Sequence, residues 1–183
     1  MQRTALVTGA TAGFGAAICR TLIENGYRVI GTGRRVARLE QLQQELGENF
    51  HFLAFDISDR QATEDAFHSL PSNWQSIDLL VNNAGLGLGL ESADKASLDD
   101  WMQMIDTKGL VTITRLVLPQ MVERNSGHII NLGSIAGTYP YPGGNVYGGT
   151  KAFIKQFSLN LRADLAGTQI RVSNVEPGLC GGT

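Results

Sequence analysis

Cysteine is close to absent from this 183-residue chain: Cys19 and Cys180 are the only two, one near each end. They are too few and too distant for a disulfide framework or a thiolate metal cluster, a usage that suits a reducing cytoplasm. The three histidines, His51, His68 and His128, stand in unrelated contexts, so no metal site is expected. Neither sign of charge dominates. Fifteen Lys and Arg stand against seventeen Asp and Glu, for a net charge of −2. No basic face is large enough for nucleic acid or an anionic membrane. No apolar run approaches the roughly twenty residues of a membrane helix, and Met1-Gln2-Arg3-Thr4 leads straight into a strand pattern with no signal peptide. Repeats, low-complexity tracts and domain linkers are also lacking. The remainder, 43 % hydrophobic and 17 % charged, is an ordinary globular mix on a chain long enough to bury one sizeable core.

Short apolar runs alternate with helical periodicity. Strands are expected over 4–8, 27–32, 50–55, 77–81, 128–132 and 169–175, and helices over 13–25, 36–46, 59–70, 98–124 and 146–166. Leu39, Leu42 and Leu46 repeat at helical spacing with Gly47 as a C-cap, and Asn25-Gly26 ends the first helix. Continuous apolar strands separated by helices predict an α/β fold: a doubly wound, Rossmann-type parallel sheet covered by helices on both faces, in a single domain over 1–183. Such sheets bind ligands beyond the carboxyl ends of their strands, where the strand order reverses.

The loops at those ends carry the informative residues. Thr8-Gly9-Ala10-Thr11-Ala12-Gly13-Phe14-Gly15 joins the first strand to the first helix. Glycines there permit a tight turn and let a pyrophosphate approach the free N–H groups of the helix. The spacing G-x-x-x-G-x-G differs from G-x-G-x-x-G, but the placement points to a dinucleotide. After the second strand an NAD site would want a carboxylate for the ribose 2′-hydroxyl, whereas this chain has Thr32-Gly33-Arg34-Arg35. Two guanidiniums suit a 2′-phosphate, and cations at a helix N-terminus want an anionic partner, so NADP is favoured. Asp56-Ile57 follows the third strand as either an adenine contact or a helix N-terminal acid, with Ser58 and Asp59 the better caps. Asn82-Asn83-Ala84-Gly85 closes the fourth strand, either admitting a ribose to its backbone or simply turning.

The chemistry is expected after the fifth strand. The Ser134 hydroxyl there is placed to hydrogen-bond a substrate carbonyl oxygen. Tyr147-Gly148-Gly149-Thr150-Lys151 sets a phenol and an ammonium four residues apart on one helix face. A nearby ammonium stabilises a phenolate, which would let Tyr147 pass a proton well below pH ~10.

TGATAGFG, NNAG, Ser134, YGGTK and EPG stand in the order and spacing of the short-chain dehydrogenase/reductase family, which the whole chain resembles. The longer strings NNAGLGLGLE, MVERNSGHIIN, PGGNVYGGTKAFIKQFSLNLR and EPGLCGGT resemble one branch, the bacterial NADP-dependent 3-hydroxy acid dehydrogenases. That branch acts on L-allo-threonine, serine and related 3-hydroxy acids and reduces malonic semialdehyde. The resemblance implies that Tyr147 takes the proton of the C3 hydroxyl, that Lys151 supports the tyrosine and holds the nicotinamide ribose, and that Ser134 steadies the reacting oxygen. It also implies cofactor contacts at Gly9, Thr11, Gly13, Phe14, Gly15, Arg34, Arg35, Asp56, Ile57, Asn83, Tyr147 and Lys151. Pro177, Gly178, Leu179 and Thr183 would wrap the nicotinamide. A homotetramer paired through the 98–124 and 146–166 helices is implied as well. A general NADPH-dependent carbonyl reductase and a catalytically idle NADP-binding sensor or assembly subunit are the competing readings.

Two departures stand out. The family carries an asparagine in the long helix, usually as N-x-x-G, that holds a water behind the lysine. Here the segment reads Met104-Ile105-Asp106-Thr107-Lys108-Gly109-Leu110. Trp101, Met104 and Ile105 set one apolar stripe and Leu110, Ile113 and Val117 another, and the two disagree by about two residues, roughly 200° of rotation. The expectation is that two residues are missing after Thr107. The second departure is the end at Thr183, where relatives continue for several dozen residues with a substrate-closing loop and a seventh strand.

Overall fold

The apolar runs become strands and the periodic segments become helices in the expected order. The structure is a computed structural model that describes residues 2–178 apart from Ala12, Leu86 and Asp106. Among the described residues the strands are β1 (Thr4–Val7), β2 (Arg28–Gly33), β3 (Phe50–Ala54), β4 (Leu79–Asn82), β5 (Gly127–Leu132) and β6 (Ile170–Val175). All pair in parallel, in the order β3-β2-β1-β4-β5-β6. The helices are α1 (Gly13–Glu24), α2 (Val36–Leu46), α3 (Arg60–His68), α4 (Leu98–Ile105), α5 (Lys108–Arg124) and α6 (Asn145–Asp164). No described helix is long and apolar enough to cross a membrane.

Successive strand residues face opposite sides of the sheet, so an uninterrupted apolar run fills two cores at once. Leu6, Ile30, Leu80 and Ile129 pack with Ile113, Val117 and Met121 of α5 and Leu161 of α6. Their neighbours Ala5, Val7, Val29, Leu79 and Val81 pack with Cys19 of α1 and with Leu39 and Leu42 of α2. Each fully buried Leu or Ile contributes about 1.5–3 kcal/mol, which makes these two layers the main source of stability. Burial pushes the Cys19 thiol up to about 12, so it packs as a small apolar group and not as a nucleophile.

The expected single helix over 98–124 is instead two helices, α4 and α5. Thr107 N–H donates to the Ile105 carbonyl at 2.6 Å, a turn tighter than any helix, and Val111 N–H then donates to Thr107 to open α5. The two apolar stripes disagree in phase, and the break lets α5 turn its stripe inward while α4 buries Met104, half-buries Trp101 and leaves Ile105 exposed. Met104 is buried from α4, and Leu110, Ile113, Val117 and Met121 are buried from α5. The helix expected over 59–70 ends at His68, with Asp59 as its N-cap accepting from Ala62 N–H at 3.0 Å.

A polar network crosses the layer beneath α5 and α6. Asn82 and Asn131 are register partners on β4 and β5. Asn82 Nδ2 donates to Thr114 Oγ1 at 3.0 Å and to Asn131 Oδ1 at 2.9 Å, and Asn131 Nδ2 donates to Ser158 Oγ at 2.8 Å. These amide N–H bonds tie the two strands to the two helices, while Asn82 Oδ1 is buried without a hydrogen-bond partner among the described residues.

Candidate active site

The loops after all six strands open at their carboxyl ends onto one cavity of about 1470 Å³. β1 and β4 lie where the strand order reverses, so the cavity sits at the fold's natural crevice. Thr8 joins its two sides: the Thr8 hydroxyl accepts from the N–H groups of Asn83 and Ala84 at 3.1 and 3.0 Å. Asn83 Nδ2 donates in return to the Thr8 and Gly9 carbonyls at 3.0 and 3.2 Å.

Within the glycine loop, Gly9 turns through φ +69° and its carbonyl lies directly against Gly15. A Cβ at residue 15 would collide with that carbonyl and would come within 2.7 Å of Asn83 Nδ2, which is why α1 can begin so close beneath the loop. Gly9, Thr11 and Phe14 line the cavity. Gly13 turns on the exposed side at φ +53°, and Gly15 is buried below, so these two shape the loop without lining it.

The two guanidiniums lie at the β2 end. Arg35 caps α2 with no side-chain capping bond, and its Nη2 donates to Thr11 Oγ1 at 2.8 Å. Arg34 Nη1 lies 3.8 Å from Asp56 Oδ2. The Asp56 carboxyl is held below its usual range, chiefly by the Ser58 backbone N–H and hydroxyl and further by Arg34. Arg34, Arg35, Asp56 and Ile57 all line the cavity.

At the other end, Ser134 follows β5 in extended conformation and accepts from Ala136 N–H at 3.2 Å. Tyr147 and Lys151 stand one turn apart on α6 and line the same space. Lys151 is only 9 % exposed. Its Nζ donates to the Leu132 carbonyl at the end of β5 at 3.0 Å and lies 5.5 Å from the Tyr147 ring centre. Burial lowers its pKa from the ordinary 10.5. Pro177 and Gly178 complete the wall, tied back by Ile135 N–H donating to the Pro177 carbonyl at 3.2 Å. Leu179, Thr183 and Cys180 lie outside the described residues.

Sequence reasoning passed over Thr8 as a clamp and the Asn131, Thr114 and Ser158 network. A signal existed for the network, since Asn82 and Asn131 are amides at the carboxyl-end side of the apolar runs of β4 and β5. It also passed over Lys155, whose Nζ donates to Thr138 Oγ1 at 2.7 Å and pairs with Glu176 Oε1 at 3.4 Å, joining the loop after Ser134 to the end of β6.

The family described as short chain dehydrogenase matches residues 3–183. A probable NADP-dependent dehydrogenase of Haemophilus influenzae is 75 % identical over 182 residues, covering 98 % of this chain and 72 % of that protein. The NADP-dependent 3-hydroxy acid dehydrogenase YdfG of Escherichia coli strain K12 is 62 % identical over 180 residues, 97 % of this chain and 73 % of that one. Among solved structures, a closed form of serine dehydrogenase complexed with NADP+ superposes with a TM-score of 0.96 at 61 % identity, over 98 % of this chain and 73 % of that one.

The buried ammonium has a measurable consequence. A lysine with a lowered folded pKa holds fewer protons folded than unfolded as pH rises from that pKa towards 10.5, so folding stability increases across that window. Urea unfolding of the wild type and Lys151→Met from pH 7 to 10.5 should show the wild type gaining stability on the variant as pH rises. A constant difference would mean that Lys151 is not desolvated.

Proposed function

The chain belongs to the short-chain dehydrogenase family, and on that premise we propose an NADP-dependent oxidoreductase that moves a hydride between C3 of a 3-hydroxy acid and nicotinamide. The carrying observation is that one cavity holds Ser134, Tyr147 and Lys151 at one end and Arg34 and Arg35 at the other. The relatives named for NADP, for 3-hydroxy acids and for serine support the substrate class. L-allo-threonine, serine and 3-hydroxypropionate, or malonic semialdehyde in reverse, are the substrates to test.

The residues present fit the cofactor. The cavity exceeds the roughly 300–1,000 Å³ of ordinary ligand pockets, leaving space for a dinucleotide and a small acid together. Gly15 leaves the start of α1 open beneath the glycine loop, and free guanidinium N–H groups at Arg34 and Arg35 suit a 2′-phosphate. Gly9, Thr11 and Phe14 would hold the pyrophosphate side, Asp56, Ile57 and Asn83 the adenosine side, and Pro177 and Gly178 the nicotinamide. When bound, NADP+ supplies the hydride acceptor for C3.

The chain's own groups do the rest. Ser134 Oγ orients the C3 oxygen. Tyr147 Oη takes its proton, and the electron pair of the C3–H bond leaves as hydride while the C=O bond forms. The buried Lys151 ammonium places positive charge beside the phenolate. We place this reaction in a homotetramer in which α5 and α6 pair across subunits, covering the exposed Val111, Val122, Phe153 and Leu159.

Steady-state assays on the acids above, with NADP+ and NAD+ compared, test the reading. Turnover should require NADP+ and a carboxylate-bearing substrate. Tyr147→Phe should lower kcat by about 10²–10⁴-fold while NADPH binding, read by fluorescence, is retained. A variant that keeps its turnover would assign proton transfer elsewhere. Sedimentation equilibrium should give the mass of four subunits, and a monomer would contradict the pairing.

A further inference from the structure

The cavity's cations are unevenly placed. Among its described lining residues they are Arg34, Arg35 and Lys151. The two arginines sit beside Thr11 and Asp56, and the Lys151 ammonium is turned to the Leu132 carbonyl. Yet a 3-hydroxy acid brings its anion to the other end. C3 and the carboxylate carbon are two C–C bonds of about 1.5 Å apart, so the carboxylate must lie within a few ångströms of the Tyr147 hydroxyl. Besides Ser134 and Tyr147, the side-chain donors lining that end include Gln103, Tyr139, Tyr141 and Thr150, whose hydroxyl already donates to the Tyr147 carbonyl at 2.8 Å.

Of these, Tyr141 is held in place. Its ring rests on Gly144, where a Cβ would come within 2.7 Å of Cε1. Gly144 N–H donates to the Tyr141 carbonyl at 3.0 Å, and the Gly144 carbonyl accepts from Gly148 N–H as α6 begins. The loop is thus locked to the turn that carries Tyr147. Tyr139 is 66 % exposed against 40 % for Tyr141, and Gln103 is exposed on α4. We propose that the Tyr141 phenol anchors the substrate carboxylate, making it the residue that selects 3-hydroxy acids over neutral alcohols. Burial and, after it, the nearby Tyr147 push the Tyr141 pKa up, so the phenol stays protonated as a donor. An O–H donated to a carboxylate is charge-assisted and stronger than a neutral pair.

This rests on the function proposed above, and the test separates the two. KM and kcat are measured for 3-hydroxybutyrate and for its uncharged methyl ester with saturating NADP+, on wild type, Tyr141→Phe and Gly144→Ala. Tyr141→Phe keeps the ring and removes the hydroxyl; Gly144→Ala keeps the hydroxyl and displaces the ring. In Tyr141→Phe the KM for the acid should rise about 10- to 100-fold, with kcat within a few-fold and the values for the ester and NADP+ unchanged. Gly144→Ala should raise the acid's KM in the same direction. If Tyr141→Phe keeps the wild-type preference for the acid, or shifts acid and ester equally, the anchor is wrong. If the wild type prefers the ester or oxidises neither compound, the 3-hydroxy acid reading fails and the anchor falls with it.

Discussion

The Lys151 ammonium, buried against the carbonyl that ends β5, is the contact around which the active end of this molecule is organised. A charged group is kept out of water only where it has partners, and here the partners are a strand-end carbonyl and the face of Tyr147. Holding Lys151 there fixes the rotation of α6 on the sheet. That rotation brings Tyr147 into the same space as Ser134, which the end of β5 presents from below. Asn131 and Ser158 bond to one another further along β5 and α6, so the same pair of elements is pinned at two depths. The arrangement accepts the desolvation cost of a buried ammonium and sets a preorganised charge beside the Tyr147 ring, the phenol proposed to react.

The cavity divides along the sheet. One end, over β2 and β3, offers guanidiniums and an acceptor carboxylate; the other, over β5 and β6, offers hydroxyls and phenols around a single buried ammonium. Between them the clamp of Thr8 on Asn83 and Ala84 keeps the glycine loop and the loop after β4 in a fixed relation. Positive charge is thereby concentrated where a phosphate would sit. At the other end, under the proposed reaction, neutral donors would orient the substrate anion without competing for the proton assigned to Tyr147.

Much of this was legible in the sequence because each loop follows a strand whose apolar run is unmistakable. Doubly wound topology then forces Gly9, Arg34, Asp56, Asn83, Ser134 and Pro177 to one edge, whatever their individual roles. The helix over 98–124 was harder. The stripes of Trp101–Met104 and Leu110–Val117 disagree in phase, and phase alone does not say whether residues are missing or the helix breaks; with the residues present, it breaks at Thr107. Thr8 was illegible because a threonine beside a glycine loop has no pattern, and its clamp exists only once β1 and β4 are neighbours. Tyr141 was passed over because its placement depends on Gly144 having no side chain, which only the packing reveals.

The central claim is that the hydrogen on C3 of a 3-hydroxy acid leaves as hydride to NADP+ while Tyr147 takes the hydroxyl proton. Incubating the full chain with NADP+ and 3-hydroxypropionate deuterated at C3, followed by mass spectrometry of the nucleotide, tests it directly. The account predicts that deuterium appears in the reduced nicotinamide, with NADP+ and not NAD+ as the acceptor. Unlabelled NADPH, or label released to water, would contradict it.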